Sequence, residues 1–475
     1  MTLTPLWTSQ EIAGIFSTEV KISWQCQGIS IDSRTTTEGD IFFALTGPNS
    51  NGHDYVKLAI AKGAVAAVVS KPVQGLDPDF LVMVDDVKDA LDSLAQAARA
   101  RVDIPVIAVT GSVGKTGTKE ALKAALGRNK KVHASVLSYN NDIGVPLSLA
   151  RMPRDADYGI FELGMNHAGE LRLLSKMVRP HVAIITTVEL AHSEFFRDVE
   201  EIADAKAEIF EGLMPGGTVV LNHDNRQYAR LSAKAKEGNI ENIISFGSDE
   251  TAHVHLLRQA FHETCSCVIA NVMGRVMTFK IGMLGHHWVM NSLAILAAVE
   301  TVGGDLGLAG LGLAEMTPLK GRGRRHQIFL DHSGEASILL IDESYNANPA
   351  SMRAALETLE QTGVRPGARH IAVLGDMAEL GDMSEELHGE LGDVVTDKDI
   401  DRVYTVGPHM KRLSDSLAAF RVGGHFDSRA ALEEKLIRDI RPGDVIMVKG
   451  SNASGMAKVV EKILDMEALA IKQAV

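Results

Sequence analysis

The sequence predicts an α/β protein of three domains. The chain has 475 residues, enough for about three domains of ~150 residues each. From Val106 onward, short β-branched runs alternate with helical stretches, the pattern of a parallel sheet with crossover helices. A second alternation of the same kind begins after Lys320. Asp103 and Pro105 punctuate the chain, so the expected divisions are 1–102, 103–320 and 321–475.

In the first region, residues 41–45 and 64–69 are apolar runs bounded by turns and are expected as strands. Residues 90–101, rich in Ala and Leu, are expected as a helix. In the central region, residues 106–109 form a short β-branched strand. Residues 118–126 form a helix with Leu122 and Leu126 on one face and Gly127 as its stop. Residues 159–163 and 182–188 are further buried strands. In the last region, strands are expected at 338–341, 371–374, 403–406 and 445–448, with helices at 351–359 and 384–391 between them. Such doubly wound sheets bind ligands at the carboxyl ends of their strands.

Composition narrows the function. Apolar residues make up 45% and charged residues 23%, the balance of a soluble globular chain. A formal net charge of -13 repels phosphate backbones and anionic lipid, which argues against nucleic acid and membrane surfaces as partners. No run approaches the ~20 apolar residues that span a bilayer. Residues 1–10 lack the basic and apolar regions of a secretory signal, so no membrane insertion and a cytoplasmic location are expected. Three cysteines, Cys26, Cys265 and Cys267, fit a reducing cytosol. Cys265 and Cys267 lie in an alternating stretch and are expected on one face of a strand.

Thr110-Gly111-Ser112-Val113-Gly114-Lys115-Thr116 stands between the strand at 106–109 and the helix that follows. That is the context of a phosphate loop. Glycines let backbone N–H groups turn toward phosphate oxygens, and the helix N-terminus adds its dipole. Lys115 is placed to reach the β- and γ-phosphates, and the Thr116 hydroxyl to bind Mg²⁺. Val109 occupies the position of the first glycine in the longer form of the motif, so the pattern is the shorter G-x-x-G-K-T.

Downstream features point to the same crevice. Glu162 ends the strand at 159–163, and His192 follows the strand at 182–188 with a potential nitrogen ligand. A helix from about Val199 opens with Asp198 and Glu201, a capping-box-like pair. Its apolar stripe is Val199, Ile202, Ile209 and Leu213, and Lys206 falls on that stripe. A buried ammonium without a partner is costly. Lys206 therefore either carries its amine to solvent or to a nearby acid, or is converted by CO₂ to an anionic carbamate near a metal.

At this point the residues resemble the Mur ligase family, over nearly the whole chain. Ser30-Ile31-Asp32-Ser33-Arg34, residues 39–45 and Gly52-His53-Asp54 are similar to the family's N-terminal uridine-nucleotide module. Residues 110–116 are similar to its ATP loop. Asn140 to Pro146 and Glu162 to His167 are similar to its central motifs. His286 to Asn291 resembles the segment whose asparagine contacts adenine, and Gly321-Arg322 the start of its C-terminal domain. Residues 345–352 and 373–381 resemble the members that add D-alanyl-D-alanine.

The resemblance implies a three-domain architecture with a central P-loop-type parallel sheet and a Rossmann-like C-terminal domain. It implies an ATP- and Mg²⁺-dependent ligase joining UDP-N-acetylmuramoyl-tripeptide to D-alanyl-D-alanine through an acyl phosphate, acting as a monomer. Gly111, Ser112, Val113, Gly114, Lys115, Thr116 and Gly117 would hold the nucleotide phosphates, Asn291 the adenine, and Arg322 and Asp342 the nucleotide from the C-terminal side. Thr116, Glu162, His192 and a carbamylated Lys206 would hold the metal. Ser33, Arg34 and His53 would contact the UDP-sugar end. Asn140, Asn141, Tyr345, Asn346 and Asn348 would bind the peptide substrates. Two departures stand out: Gly117 occupies a position usually Thr or Ser, and Asn452 stands where many relatives carry Arg.

Two other readings compete. A ligase of the same superfamily that adds a diamino acid would carry Asp-Asn-Pro-Arg, which this sequence lacks, and folylpolyglutamate synthase is a further relative. A regulatory or transport ATPase would need only Gly111 to Thr116 and would leave Tyr345 to Met352 without a purpose.

Overall fold

The computed structural model describes residues 4–48, 50–190, 194–331, 334, 336–363 and 367–472, with side chains described as far as 467. Apolar runs become strands buried on both faces, as parallel sheets require. Near the N-terminus, β1 (Gly28–Ser30), β2 (Asp40–Phe43), β3 (Ala66–Val69) and β4 (Leu81–Met83) form a parallel sheet in that order. Helix α1 (Val87–Ala100) packs behind it. It begins three residues before the expected 90, because the Asp86 carboxylate accepts the N–H groups of Lys88 and Asp89.

The central sheet is built from β5 (Val106–Thr110), α2 (Lys115–Leu126), β6 (Val132–Ala134), β7 (Tyr158–Glu162), β8 (Val182–Ile185), α3 (Val199–Ala207), β9 (Thr218–Asn222), β10 (Asn242–Gly247), β11 (Val254–Phe261), β12 (Ser266–Val272) and β13 (Arg275–Ile281). Its order is β6-β7-β5-β8-β9-β10-β11-β12-β13, parallel as far as β11 and antiparallel beyond. The chain order puts β5 between β7 and β8. The crevice at the carboxyl end of β5 is thus flanked by the ends of both neighbours. Cys265 lies just before β12 and Cys267 within it, both as free thiols.

Helix α4 (His286–Thr301) is apolar on every side and buried from Val289 to Val299 between the sheet and α2. Each large aliphatic side chain buried this way contributes about 1.5–3 kcal/mol.

Helix α3 is shorter than its stripe suggests. It tightens into a 3₁₀ turn at Glu208–Gly212, so Leu213 lies beyond it. Asp198 accepts the Glu201 N–H, but the Glu201 carboxylate turns to the N–H of Arg197, so only half of a capping box forms. The strand expected to reach 188 ends at Ile185, freeing residues 186–190 to brace the loop opposite.

The C-terminal sheet contains β14 (Arg324–Phe329), β15 (Ser337–Glu343), α5 (Pro349–Glu360), β16 (His370–Gly375), β17 (Arg402–Val406), β18 (Val422–Phe426) and β19 (Val445–Lys449). The order is β14-β15-β19-β16-β17-β18, with only β14 antiparallel. β14 and β18 lack an apolar signature, being Arg-Arg-His-Gln-rich and Gly-Gly-centred respectively. The helix expected at 384–391 is two, Ser384–Gly389 and Leu391–Asp397.

The N-terminal and central domains are joined through main-chain carbonyls. Trp7 Nε1 donates to Ala150 O at 2.9 Å, Arg151 Nε to Ile29 O at 2.8 Å, and Arg101 to Leu6 O at 2.9 Å and Met152 O at 2.7 Å. The Arg101 guanidinium also lies 3.5 Å over the Trp7 ring. No helix among the described residues is long and apolar enough to cross a membrane.

His133 in β6 meets Ser148 O at 2.7 Å, and burial lowers its pKa from 6.5 to about 4. The folded state therefore favours the neutral ring, and the unfolded chain takes up the proton first. Its stabilising effect is complete above pH 6.5 and is lost as the pH falls toward 4. His133→Gln is expected to flatten this part of the stability profile, measured as the urea midpoint against pH.

Candidate active site

The chain leaves β5 at Thr110 and turns through Gly111 to Gly114 before α2 starts at Lys115. Gly111 and Gly114 have φ of +148° and +89°, backbone conformations that favour glycine. Neighbouring side chains also occupy the space a Cβ would need. A Cβ on Gly111 would lie 1.9 Å from Thr186 Oγ1, on Gly114 2.8 Å from Asn291 Nδ2, and on Gly117 2.7 Å from the Trp288 ring. The segment after β8 clamps the loop from below. Thr186 Oγ1 donates to Val113 O at 2.6 Å, Ser112 N to Thr187 O at 2.9 Å, and Ser112 Oγ to Glu189 O at 2.9 Å.

The Lys115 ammonium bends back to donate to Gly111 O at 2.6 Å. Burial, reinforced by the Arg322 charge, holds its pKa below the ordinary lysine value. Glu162 ends β7, in register with Val109. Its Oε1 accepts from Asn140 Nδ2 at 2.7 Å, while the buried Oε2 has no hydrogen-bond partner among the described residues. That carboxylate oxygen and the Thr116 hydroxyl, lining one cleft, are hard-oxygen donors of the kind that suit Mg²⁺.

Lys206 on α3 is 2% exposed. No hydrogen bond or ion pair links it to another described residue. Burial and the Lys115 charge push its pKa well below the ordinary lysine value, which favours the unprotonated amine. The expected alternative, an amine carried to solvent, does not occur. His192 lies outside the described residues.

The C-terminal domain supplies the opposite wall. Arg322 Nη2 donates to Ser138 Oγ at 3.3 Å, and the Tyr345 hydroxyl to the same oxygen at 3.0 Å. Arg322 also stacks 4.0 Å over the Tyr345 ring. Ser138 lies 3.4 Å from Thr116 Oγ1, so one serine joins the loop to the far wall. Asn348 caps α5 and reaches Ser112 O at 3.4 Å. Asn346 O accepts from the buried Lys449, which faces Glu343 at 3.6 Å. Asn452 lines the same wall. The cleft has a volume of about 730 Å³.

The structure thus gathers Ser112 to Gly117, Asn140, Glu162, Asn291, Arg322, Tyr345, Asn346 and Asn348 around one cleft. Other expected residues have local tasks. Asp342 accepts from Gly321 N, Ser344 N and Ser344 Oγ, shaping the start of the C-terminal domain. Asn141 accepts from Gly144 N and turns the chain into a short helix. Ser33, Arg34 and His53 lie in the N-terminal domain, away from the cleft lining. Arg34 is engaged by Asp32, and His53 sits between Asn51 and Ser70. Sequence reasoning missed Ser138, Thr186, Trp288 and the Lys449–Glu343 pair. Thr186 could have been suspected from its place just after a buried strand, as Glu162 was. Ser138 carries no such signal.

A larger groove of about 990 Å³ runs beside α3, but its basic residues are neutralised. Arg172 and Lys176 pair with Glu211, and Arg230 and Lys234 with Asp204.

Family profiles match along the chain: Mur ligase family, catalytic domain, at residues 25–111; Mur ligase middle domain at 109–299; and Mur ligase, glutamate ligase domain, at 324–452. The UDP-N-acetylmuramoyl-tripeptide–D-alanyl-D-alanine ligase of Rickettsia prowazekii is 34% identical over 456 residues, covering 96% of this chain and 99% of the relative. A crystal structure of MurF from Acinetobacter baumannii superposes with a TM-score of 0.84 at 29% identity, covering 98% of this chain and 100% of that one. The MurF ligase of Thermotoga maritima in complex with ADP superposes at 0.75 with 25% identity, covering 94% and 98%.

Gly111→Ala forces a side chain into both a left-handed backbone and the Thr186 hydroxyl. It is expected to destabilise the protein by about 1–3 kcal/mol. Gly111→Ala combined with Thr186→Ala removes the clash but keeps the backbone strain, so recovery should be partial when both are compared by urea denaturation.

Proposed function

Because the chain belongs to the Mur ligase family, and within it is a ligase that adds D-alanyl-D-alanine to UDP-N-acetylmuramoyl-tripeptide in peptidoglycan synthesis, we propose how its residues divide that work. Residues 1–102 hold the uridine-nucleotide end, with Ser33, Arg34 and His53 nearest to it. Residues 103–320 bind ATP, and 321–475 close over it with the dipeptide. The observation that carries the reading is the cleft itself. A glycine loop and a Glu162 oxygen without a hydrogen-bond partner among the described residues face Arg322, Tyr345 and Asn348, and the buried Lys206 lies within reach of the Lys115 charge.

The backbone N–H groups from Val113 to Thr116 cradle the ATP phosphates, while that of Ser112 stays on Thr187 O, and the Lys115 ammonium leaves Gly111 O for the transferring phosphoryl group. Asn291 holds the adenine. A terminal carboxylate oxygen of the tripeptide attacks the γ-phosphorus, forming an acyl phosphate as ADP leaves. Lys115 and Arg322 offset the developing negative charge, the main source of catalysis in phosphoryl transfer. The free amine of D-alanyl-D-alanine, positioned by Asn346 and Asn348, then attacks the acyl carbon. The tetrahedral adduct loses phosphate, and the amine proton passes to water. The close approach of the two domains at Ser138 and Ser112 excludes competing water.

Mg²⁺, when bound, spreads negative charge over the phosphate oxygens. Thr116 and Glu162 are the residues to hold it, with His192 and Lys206 completing the set. For Lys206 to serve, its neutral amine adds to CO₂, forming an N–C bond and releasing a proton, and the resulting carbamate supplies an anionic oxygen. The lowered pKa of the Lys206 amine supports this, because only an unprotonated amine reacts. The enzyme works as a monomer in the cytoplasm, where it serves cell-wall assembly, cell shape and cell division.

The test is phosphate release from ATP that requires both UDP-N-acetylmuramoyl-tripeptide and D-alanyl-D-alanine. Single amino acids in place of the dipeptide should give none, and ATP turnover without an amide product would favour a plain ATPase. Lys115→Ala is expected to lower turnover by about a thousandfold or more; full turnover in that variant would sink the scheme. Lys206→Ala should be nearly inactive and recover in part with added short carboxylic acids, while CO₂ depletion should slow the native enzyme. Neither effect would be seen for a lysine of purely structural value.

A further inference from the structure

The departure at Gly117 has a structural counterpart. Trp288 stands on the first turn of α4 with its six-membered ring directed at Gly117, where any Cβ would lie 2.7 Å from Cη2, 3.2 Å from Cζ2 and 3.3 Å from Cζ3. No rotation of a β-branched side chain at residue 117 relieves an overlap that begins at the first side-chain carbon. Trp288 is half-buried: it packs against the apolar cluster shared by α2 and α4, and it also lines the cleft. Asn291 follows three residues later on the same helical face and packs over Gly114. One face of α4 thus presents an indole and an amide side by side, each seated on a glycine of the phosphate loop and the start of α2.

An amide and an aromatic plane at adjacent positions are what a heterocyclic base requires, one for its polar edge and one for its face. We propose that Trp288 is a base-stacking residue of the nucleotide site and that Gly117 is the space the indole needs. The assignment rests on the nucleotide reading of the loop given above and extends it to the base. Gly117 and Trp288 act as one unit, so a side chain at 117 and a ring at 288 exclude one another.

The three tryptophans make this readable by fluorescence. Trp7 is buried beneath Arg101, Trp24 lies in the N-terminal domain, and of the three only Trp288 lines the cleft. ADP, added to the full-length protein, should quench the emission, whereas tripolyphosphate, which lacks a base, should not. Trp288→Phe should bind ADP without the quench. Trp288→Ala should weaken ADP about tenfold, the loss expected from one stacking contact, while tripolyphosphate affinity changes less than about twofold. Equal weakening of both ligands would mean that Trp288 merely supports the loop, and would overturn the proposal. Gly117→Thr should weaken ADP in the native background and have no further effect in Trp288→Ala, whereas additive losses would also overturn it. If Gly117→Thr does not fold, the fluorescence and tripolyphosphate comparisons still decide. Absence of any ADP binding by the native protein would sink the nucleotide reading together with this one; ADP binding indifferent to Trp288 sinks this one alone.

Discussion

The absence of a β-carbon at residues 111, 114 and 117 is the constraint on which the site depends. Three side chains from two different elements, Thr186, Asn291 and Trp288, approach this loop-and-helix segment within distances no side chain there could tolerate. The loop is therefore held by what leans on it as much as by its own turn. Thr186 and Ser112 tie it to the end of β8, and α4 covers it from the other side. Because α4 is apolar all round and buried, it cannot shift without disturbing the core of the central domain. Core packing thereby sets the position of the backbone N–H groups that face the cleft.

Electrostatics follows from this packing. Lys115 and Lys449 line the cleft, Lys206 is buried within reach of the Lys115 charge, and desolvation lowers the pKa of each. Glu343 on the same wall is half-buried, and desolvation raises its pKa. In a low-dielectric cleft such groups interact strongly with any anion brought among them. Lys115 spends its charge on a carbonyl of its own loop, and Glu162 keeps one oxygen unused among the described residues. Both are at some cost to the folded chain, and both are relieved by ligands of opposite character, a phosphate for one and a cation for the other.

Much of this was legible in the sequence where local pattern and function coincide. The strand before the loop, the loop and the helix after it carry their periodicity openly, as do the β-branched strands of the C-terminal sheet. Lys206 was visible as a charge on an apolar stripe, and its burial follows from that stripe. The polar or glycine-rich strands β14 and β18 were not legible, because neighbours rather than propensity hold them in the sheet. Nor was the role of Ser138, which depends on two domains meeting at one hydroxyl. Asp342 and Asn141 show the reverse. Motif membership marked them for ligands, while their side chains are engaged in shaping turns.

The seam between the N-terminal and central domains has a consequence for how the protein can vary. Trp7, Arg101 and Arg151 all donate to main-chain carbonyls, and Arg99 likewise donates to Val178 O and Arg179 O. A carbonyl is present whatever residue bears it. The accepting positions can therefore drift in sequence without loosening the joint, while the few donors cannot. Over evolutionary time the seam should be preserved by a handful of arginines and one tryptophan, and the surfaces they grip should look unrelated from one lineage to the next.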